Sequence, residues 1–289
     1  MTQIIDGKAL SKKIQVDLKN KVAKLKVKPG LAVVLIGKDS ASEIYVRCKE
    51  ETCEKIGYYS KKVELAATIT KEELFKVIDD LNKDEKIDGI LVQFPLPGEL
   101  RLIEDEVIKR ILPEKDVDGF HPLNVGELFA RKKPVDDNMV VSCTPMGILR
   151  MLKEYKIEIK GKKAVVIGRS NLVGKPVAQL LLLENATVTI CHSKTQDLEK
   201  ECQQADILVV GVGKAGLIKK SFVKEGAVII DAGINRTEKG LVGDVDYKGV
   251  FDKVRAITPV PGGVGPMTIA ILMENVYKLY QRKNNEKSN

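Results

Sequence analysis

Apolar residues in this chain fall into short runs, and between the runs they recur at a spacing of about three to four residues. A short run bounded by glycine or proline reads as a buried strand, and the wider spacing reads as an amphipathic helix. Leu31-Ala-Val-Val-Leu-Ile-Gly37 is the first such strand, and Ser42 to Ile56 reads as the helix after it. Lys62-Val-Glu-Leu65 is a weaker strand. Lys71 to Asn82 places Leu74, Val77, Ile78 and Leu81 on one stripe, and Gly89-Ile-Leu-Val-Gln-Phe94 is a strand stopped by Pro95 and Pro97. After Asp116 the pattern loosens, and the charged, proline-containing stretch Lys132 to Asp137 reads as a linker. The alternation restarts with strands at Lys163–Gly168, Thr187–Cys191, Asp206–Gly211 and Ala227–Asp231, the first followed by a helix to about Glu184. A last helix aligns Ile269, Leu272, Met273, Val276, Leu279 and Tyr280, with Pro266 near its first turn and a polar, fraying tail from Arg282. Strands alternating with helices predict two α/β domains in tandem, each built on a parallel sheet, with no sequence repeat between them.

Thr258-Pro-Val-Pro-Gly-Gly-Val-Gly-Pro-Met-Thr268 interrupts this pattern between a buried strand and the last helix. Prolines fix φ and glycines free it, so the segment reads as a loop of defined shape that brings backbone close to something.

Composition narrows the classes. The 289 residues are 44% hydrophobic and 30% charged, enough for a sizeable core. No apolar run resembles a signal peptide or a membrane span. Cysteines 48, 53, 143, 191 and 202 form no regular framework, and two histidines argue against a zinc site, so a reducing cytoplasmic setting and no metal are expected. The formal charge of +8 comes from scattered lysine pairs, and aromatics are only 4% with no tryptophan. A nucleic-acid partner is therefore not expected, and a protein handling small polyanions is the better reading.

The strand at 163–168 runs into Gly168-Arg-Ser-Asn-Leu-Val-Gly174-Lys-Pro176 and then a helix. Glycine at a strand exit and before a helix lets backbone approach a phosphate, although Ser170 occupies the middle glycine position of the dinucleotide fingerprint. The next strand ends Cys191-His192-Ser193-Lys194-Thr195, without the acid that takes the ribose hydroxyls of NAD. Hydroxyls, a lysine and Arg169 suit an extra 2′-phosphate, so NADP is expected over NAD. A polar turn capping the next helix is an equal reading for Lys194 and Thr195.

Tyr45 and Lys49, four apart on a helix, share one face. A surface pair is the plain reading, and a lysine that exchanges protons with a ligand is the other. Gln93 breaks an apolar strand at its carboxyl end, where α/β sheets bind ligands, and needs polar partners there. Asp116-Val-Asp118-Gly-Phe-His121 adds carboxylates in a loop; Asp116 could be a turn former, and one of the two could accept the N–H groups of a heterocycle.

Tyr45-Val-Arg-Cys-Lys49, Val92-Gln93-Phe-Pro-Leu-Pro97, Glu114-Lys-Asp-Val-Asp118-Gly, the 168–176 loop and the 258–268 loop occur in this order, and together they resemble the bifunctional methylenetetrahydrofolate dehydrogenase/methenyltetrahydrofolate cyclohydrolase family over essentially the whole chain. The resemblance implies a folate site in a cleft between the domains, with residues 1–138 forming the catalytic domain, 139–266 a Rossmann-like NADP domain, and the helix at 267–289 returning to the first. It implies Lys49 as the central catalytic residue, with Tyr45, Gln93 and Asp118 beside it and Asp118 holding the pterin. Folate would be lined by Tyr45, Val46, Arg47, Cys48, Lys49, Val92, Gln93, Phe94 and Asp118, and by Pro261, Gly262, Gly263, Val264 and Gly265. NADP would meet Gly168, Arg169, Ser170, Ser193 and Ile234. A homodimer is implied, with no membrane partner. Gly211-Val-Gly-Lys-Ala215 departs from the family's Thr-Gly-containing turn, and no synthetase domain for formate activation is expected. A shikimate-dehydrogenase-like enzyme shares the domain order but does not account for residues 258–268; a non-catalytic dinucleotide binder does not account for Lys49.

Overall fold

A computed structural model describes the chain except Asp137, Lys239 and residues 287–289, and except the side chains of Ser40, Ala41 and Glu286. In chain order the elements are β1 (Gln3–Ile4), α1 (Gly7–Ala23), β2 (Gly30–Ile36), α2 (Ser40–Ile56), β3 (Tyr59–Leu65), α3 (Lys71–Lys83), β4 (Gly89–Val92), α4 (Glu104–Arg110), α5 (Pro122–Ala130), α6 (Cys143–Glu154), β5 (Lys163–Ile167), α7 (Gly174–Leu183), β6 (Thr187–Cys191), α8 (Leu198–Gln203), β7 (Ile207–Val210), β8 (Val228–Asp231), β9 (Asn235–Thr237), β10 (Gly240–Val242), α9 (Tyr247–Val250), β11 (Ala256–Ile257) and α10 (Val264–Glu286). The two-part α/β reading holds. Among the described residues no helix is long and apolar enough to cross a membrane.

One compact unit comprises Lys13–Glu127, Asn138–Val141 and Leu272–Asn289, the last three residues lying outside the described part. Its sheet has the order β3-β2-β4, all parallel. β2 is buried along its length because it is the central strand, covered on both faces, which is why its sequence is an unbroken apolar run. Ala32, Val34, Ile36, Ile90 and Val92 pack with Leu74, Ile78 and Leu81 of α3 and Val107 of α4. The amphipathic stripe of α3 is held in register by a reciprocal cap: Thr70 accepts from Glu73 N, and Glu73 accepts from Thr70 N. The later part of α10 belongs to this unit; Tyr58 donates its hydroxyl to Met273 O at 2.9 Å. The helix continues past Arg282, where the sequence suggests fraying, because Arg282 and Lys283 donate to backbone carbonyls of Asn138 and Glu85.

The other unit comprises Met1–Lys12, Leu128–Asp137 and Ser142–Ile271. Its sheet has the order β1-β11-β8-β7-β5-β6, all parallel. The first residues group here, and not with the 1–138 segment to which the sequence assigns them, because β1 pairs with β11 through Gln3↔Ala256 and Ile4↔Ile257. Val165, Ile167, Leu208, Val210, Ile229 and Ile257 form the centre of the core. β5 lies between β6, which follows it, and β7, which comes later; the order reverses at β5, the place where open α/β sheets leave a crevice for ligands.

Candidate active site

In the first-described unit, α2 starts at Asp39, whose carboxylate accepts from Ser42 N, and ends at Gly57 in a left-handed conformation. Val46 and Cys53 face the core, Lys49 lies on the flank of that face and is half-buried, and Tyr45, one turn before it, is exposed. Lys49 Nζ donates to Gln93 Oε1 at 2.8 Å. Gln93 sits one residue past β4, anchored by its own N–H to Val34 O, and its Nε2 donates to Phe94 O. An ammonium has only donors, so the amide oxygen must face the lysine, and the Phe94 carbonyl locks the other end of the amide. The pairing that the polar interruption in the strand suggests is thus made.

The two loop aspartates separate in role. Asp116 is buried and saturated: it accepts from Gly119 N, His121 N and Asn124 Nδ2. It shapes the turn. Asp118, two residues on, accepts no hydrogen bond among the described residues, and burial pushes its carboxyl up to about 6, opposed by Lys49 and reinforced by Asp116. Asn275, which the sequence does not single out, donates to Val117 O and Val141 O and so pins the backbone beside Asp118. Other expected folate residues are less available. Val46 and Val92 bury their side chains, leaving only backbone; Arg47 is exposed, Cys48 accepts from Thr52 through its carbonyl, and Phe94 packs partly on the core.

In the second unit β5 ends at Gly168, with φ +124, and α7 begins at Gly174. A β-carbon on Gly174 would stand 2.1 Å from Gly168 O, and one on Gly168 would stand 2.7 Å from Gly211 O. The loop is therefore a cradle that side chains would fill, opening at a helix N-terminus. Ser170 Oγ accepts from Val173 N and Gly174 N and closes the turn, while Arg169 and Ser170 are both exposed. Beyond β6, Ser193 and Lys194 are exposed, and Thr195 Oγ1 accepts from His192 N. Thr195 therefore closes its own turn and does not cap α8, whose N-cap is Asp197. Ile234 is exposed just after β8. These groups fit a dinucleotide: a backbone cradle for the pyrophosphate and an exposed guanidinium and ammonium for a further phosphate.

The 258–268 loop is shaped largely from within this unit. The Val260–Pro261 bond is cis and Gly262 has φ +109. Lys8 N donates to Gly262 O, Ser11 Oγ donates to Pro266 O, and a β-carbon on Gly7 would lie 1.9 Å from Gly263 O. Gly262 and Gly263 thus serve the packing of the loop on the start of α1. Pro261 is exposed, Val264 is buried as the first residue of α10, and a β-carbon on Gly265 would meet nothing within 4 Å.

A parallel sheet with a glycine cradle at its switch point, joined in one chain to a unit carrying a lysine–amide pair and an unpartnered carboxyl, defines a dinucleotide-binding α/β enzyme. Comparison with known proteins narrows the class. Residues 5–118 match the catalytic domain, and residues 142–284 the NAD(P)-binding domain, of tetrahydrofolate dehydrogenase/cyclohydrolase, and the chain belongs to that family. It is 52% identical to the bifunctional protein FolD of Streptococcus thermophilus over 96% of this chain and 97% of that one. Among solved structures, the bifunctional FolD of Campylobacter jejuni is 46% identical with a TM-score of 0.90, covering 98% of this chain and 100% of that one. The Trypanosoma brucei enzyme, solved with NADP and an inhibitor, is 37% identical with a TM-score of 0.92, covering 98% of each.

Proposed function

We propose that this chain oxidises 5,10-methylenetetrahydrofolate to the 5,10-methenyl cation with NADP and then hydrolyses that cation to 10-formyltetrahydrofolate. The observation that carries the chemistry is the Lys49–Gln93 hydrogen bond, with Asp118 within electrostatic reach of Lys49 and accepting no hydrogen bond among the described residues. Residues 13–127 with the end of α10 are taken as the folate domain, and 142–271 as the core of the NADP domain. Bound NADP supplies the hydride acceptor, and every other role falls to side chains. Asp118 accepts the N–H groups of the pterin and orients it. Tyr45 lies alongside the ring. Gln93 aims Lys49. In its neutral form Lys49 takes a proton as water adds to the methenyl carbon, and returns it to N5 as the C–N5 bond breaks. The remaining hydroxyl proton leaves to solvent as the formyl C=O forms. The backbone of Val92 and of Pro261 to Gly265 completes the folate surface. Gly168, Arg169 and Ser170 hold the pyrophosphate and 2′-phosphate with Ser193, and Ile234 meets the far end of the cofactor. No carboxylate ends β6, which supports NADP over NAD.

We take the working form to be a cytoplasmic homodimer, which sedimentation and cell fractionation would test. The activity is tested by following NADPH formation with methylenetetrahydrofolate, with NAD run alongside, and then the decay of the methenyl absorbance. No NADPH overturns the dehydrogenase assignment. Methenyl compound that decays only at its spontaneous rate overturns the cyclohydrolase.

A further inference from the structure

Two buried carboxylates that the chemistry above leaves unused gather the loops at the carboxyl ends of the large sheet. Asp244 is fully buried; its Oδ2 accepts from Val212 N at 2.7 Å and Gly213 N at 2.9 Å, and its Oδ1 from Lys214 N at 2.7 Å and Asn235 Nδ2 at 2.8 Å. Asp231 accepts from Gly233 N, Asp244 N and Val245 N, and its own N–H donates to Thr258. The glycines around them are there to admit the carboxylates: a β-carbon on Gly233 would lie 2.2 Å from Asp244 Cγ, and one on Gly243 would lie 1.9 Å from Asp231 Oδ2.

This knot has a direction. Three successive N–H groups after β7 are consumed by Asp244, so the 212–214 turn does not offer them to a ligand anion. What it offers is Val212, exposed at 40%, whose Cγ1 would lie 3.6 Å from a β-carbon on Gly168. Through Asn235 the same carboxylate holds the segment that presents Ile234, exposed at 47%. Two apolar side chains thus stand in water at the ends of the adjacent strands β7 and β8. In a doubly wound sheet the adenosine ribose lies at the end of the strand that follows the phosphate loop, here β6, so the other half of the dinucleotide runs across the switch point to β7 and β8.

We propose that Asp244 is a positioning residue for the nicotinamide half of the cofactor, holding Val212 and Ile234 as the apolar wall on which the ring rests. Asp231 braces Asp244 by accepting from its backbone N–H. The inference rests on the NADP reading and deepens it. Loss of the anchor frees the wall, while the phosphate cradle beside it keeps the Ser170 hydrogen bonds that close its turn.

The test is titration calorimetry with two ligands, NADP and adenosine 2′,5′-bisphosphate, which keeps the adenosine and 2′-phosphate and lacks the nicotinamide. Asp244→Asn puts a donor against the N–H groups, and its NADP Kd should rise about tenfold, the scale of one lost charge-assisted bond. Its bisphosphate Kd should stay within about twofold. Equal weakening of both ligands, or no weakening of NADP binding, overturns the proposal. Should Asp244→Asn not fold, Asn235→Ala decides: NADP binding should weaken about threefold with the bisphosphate unchanged, and any other pattern overturns the proposal. Wild-type protein that binds neither ligand overturns the NADP reading itself, a result distinct from either variant's.

Discussion

At the scale of single residues, the site depends on a lysine that donates to an amide oxygen and on a buried carboxyl that accepts no hydrogen bond among the described residues. Lys49→Met keeps the length of the side chain and removes the proton carrier, so hydrolysis of methenyltetrahydrofolate should fall a hundredfold or more, about the contribution of a positioned acid–base group. A near wild-type rate in that variant would remove Lys49 from the mechanism. Asp118 makes a second, opposite-facing prediction. Burial holds its pKa at about 6, above the ordinary carboxylate value, so folding favours the protonated form. The stability gained from that proton is whole below the ordinary value and is lost as pH rises through about 6. Asp118→Asn is neutral at every pH. It should therefore melt above the wild type at neutral pH, with the gap closing below about pH 4. Folate affinity of the wild type should move the other way, weakening as pH falls through about 6, because only the carboxylate accepts both pterin N–H groups. Thermal melts and folate titrations across pH check both directions.

At the scale of elements, the cradle between β5 and α7 is a packing constraint as well as a binding surface. Gly174→Ala would drive a β-carbon to 2.1 Å from Gly168 O. That contact is backbone and cannot swing away, so the variant should lose about 1–3 kcal/mol in urea unfolding and most of its NADP affinity. Gly265→Ala, with nothing within 4 Å of the new carbon, should change stability by no more than about 0.5 kcal/mol. Both glycines sit in motifs that read alike in the sequence, and only the fold tells them apart. What was legible was local: β2, β4, β5, β7 and β8 are buried on both faces and announce themselves as apolar runs, and α3 carries a clean stripe. Gln93 stood out because it breaks such a run. α6 is harder to read because its buried residues lie most of the way round it, and β3 reads short because its edge position leaves Tyr59, Ser60 and Lys61 outside the apolar pattern. Asp231 and Asp244 were illegible for another reason. Each reads as a turn residue, and their partners lie up to 32 positions away in the chain, so their role exists only once the sheet is assembled.

At the scale of the whole molecule, each unit supplies half of what a two-substrate reaction needs, and the surface charge bears on both halves. The formal charge is +8, spread as lysine pairs over a chain with no nucleic-acid platform. Both proposed ligands are polyanions, since NADP carries three phosphate groups and cellular folates carry one or more glutamyl carboxylates. A net positive surface raises the encounter rate of anions over a range set by the Debye length, about 10 Å at 0.1 M salt. Short-range contacts such as the one proposed between Asp118 and the pterin are little screened at that distance, whereas a glutamyl tail reaching over the surface is screened strongly. The salt response should therefore grow with the length of the tail. Between about 0.05 and 0.5 M salt, KM for a polyglutamyl substrate should rise severalfold, and KM for the monoglutamate by about twofold or less, with kcat unchanged for both. Steady-state kinetics on the two substrates at matched pH measures this. A flat response for the long tail would mean that the lysines serve solubility alone, and an equal response for both would place the screened attraction at the phosphates of the cofactor instead.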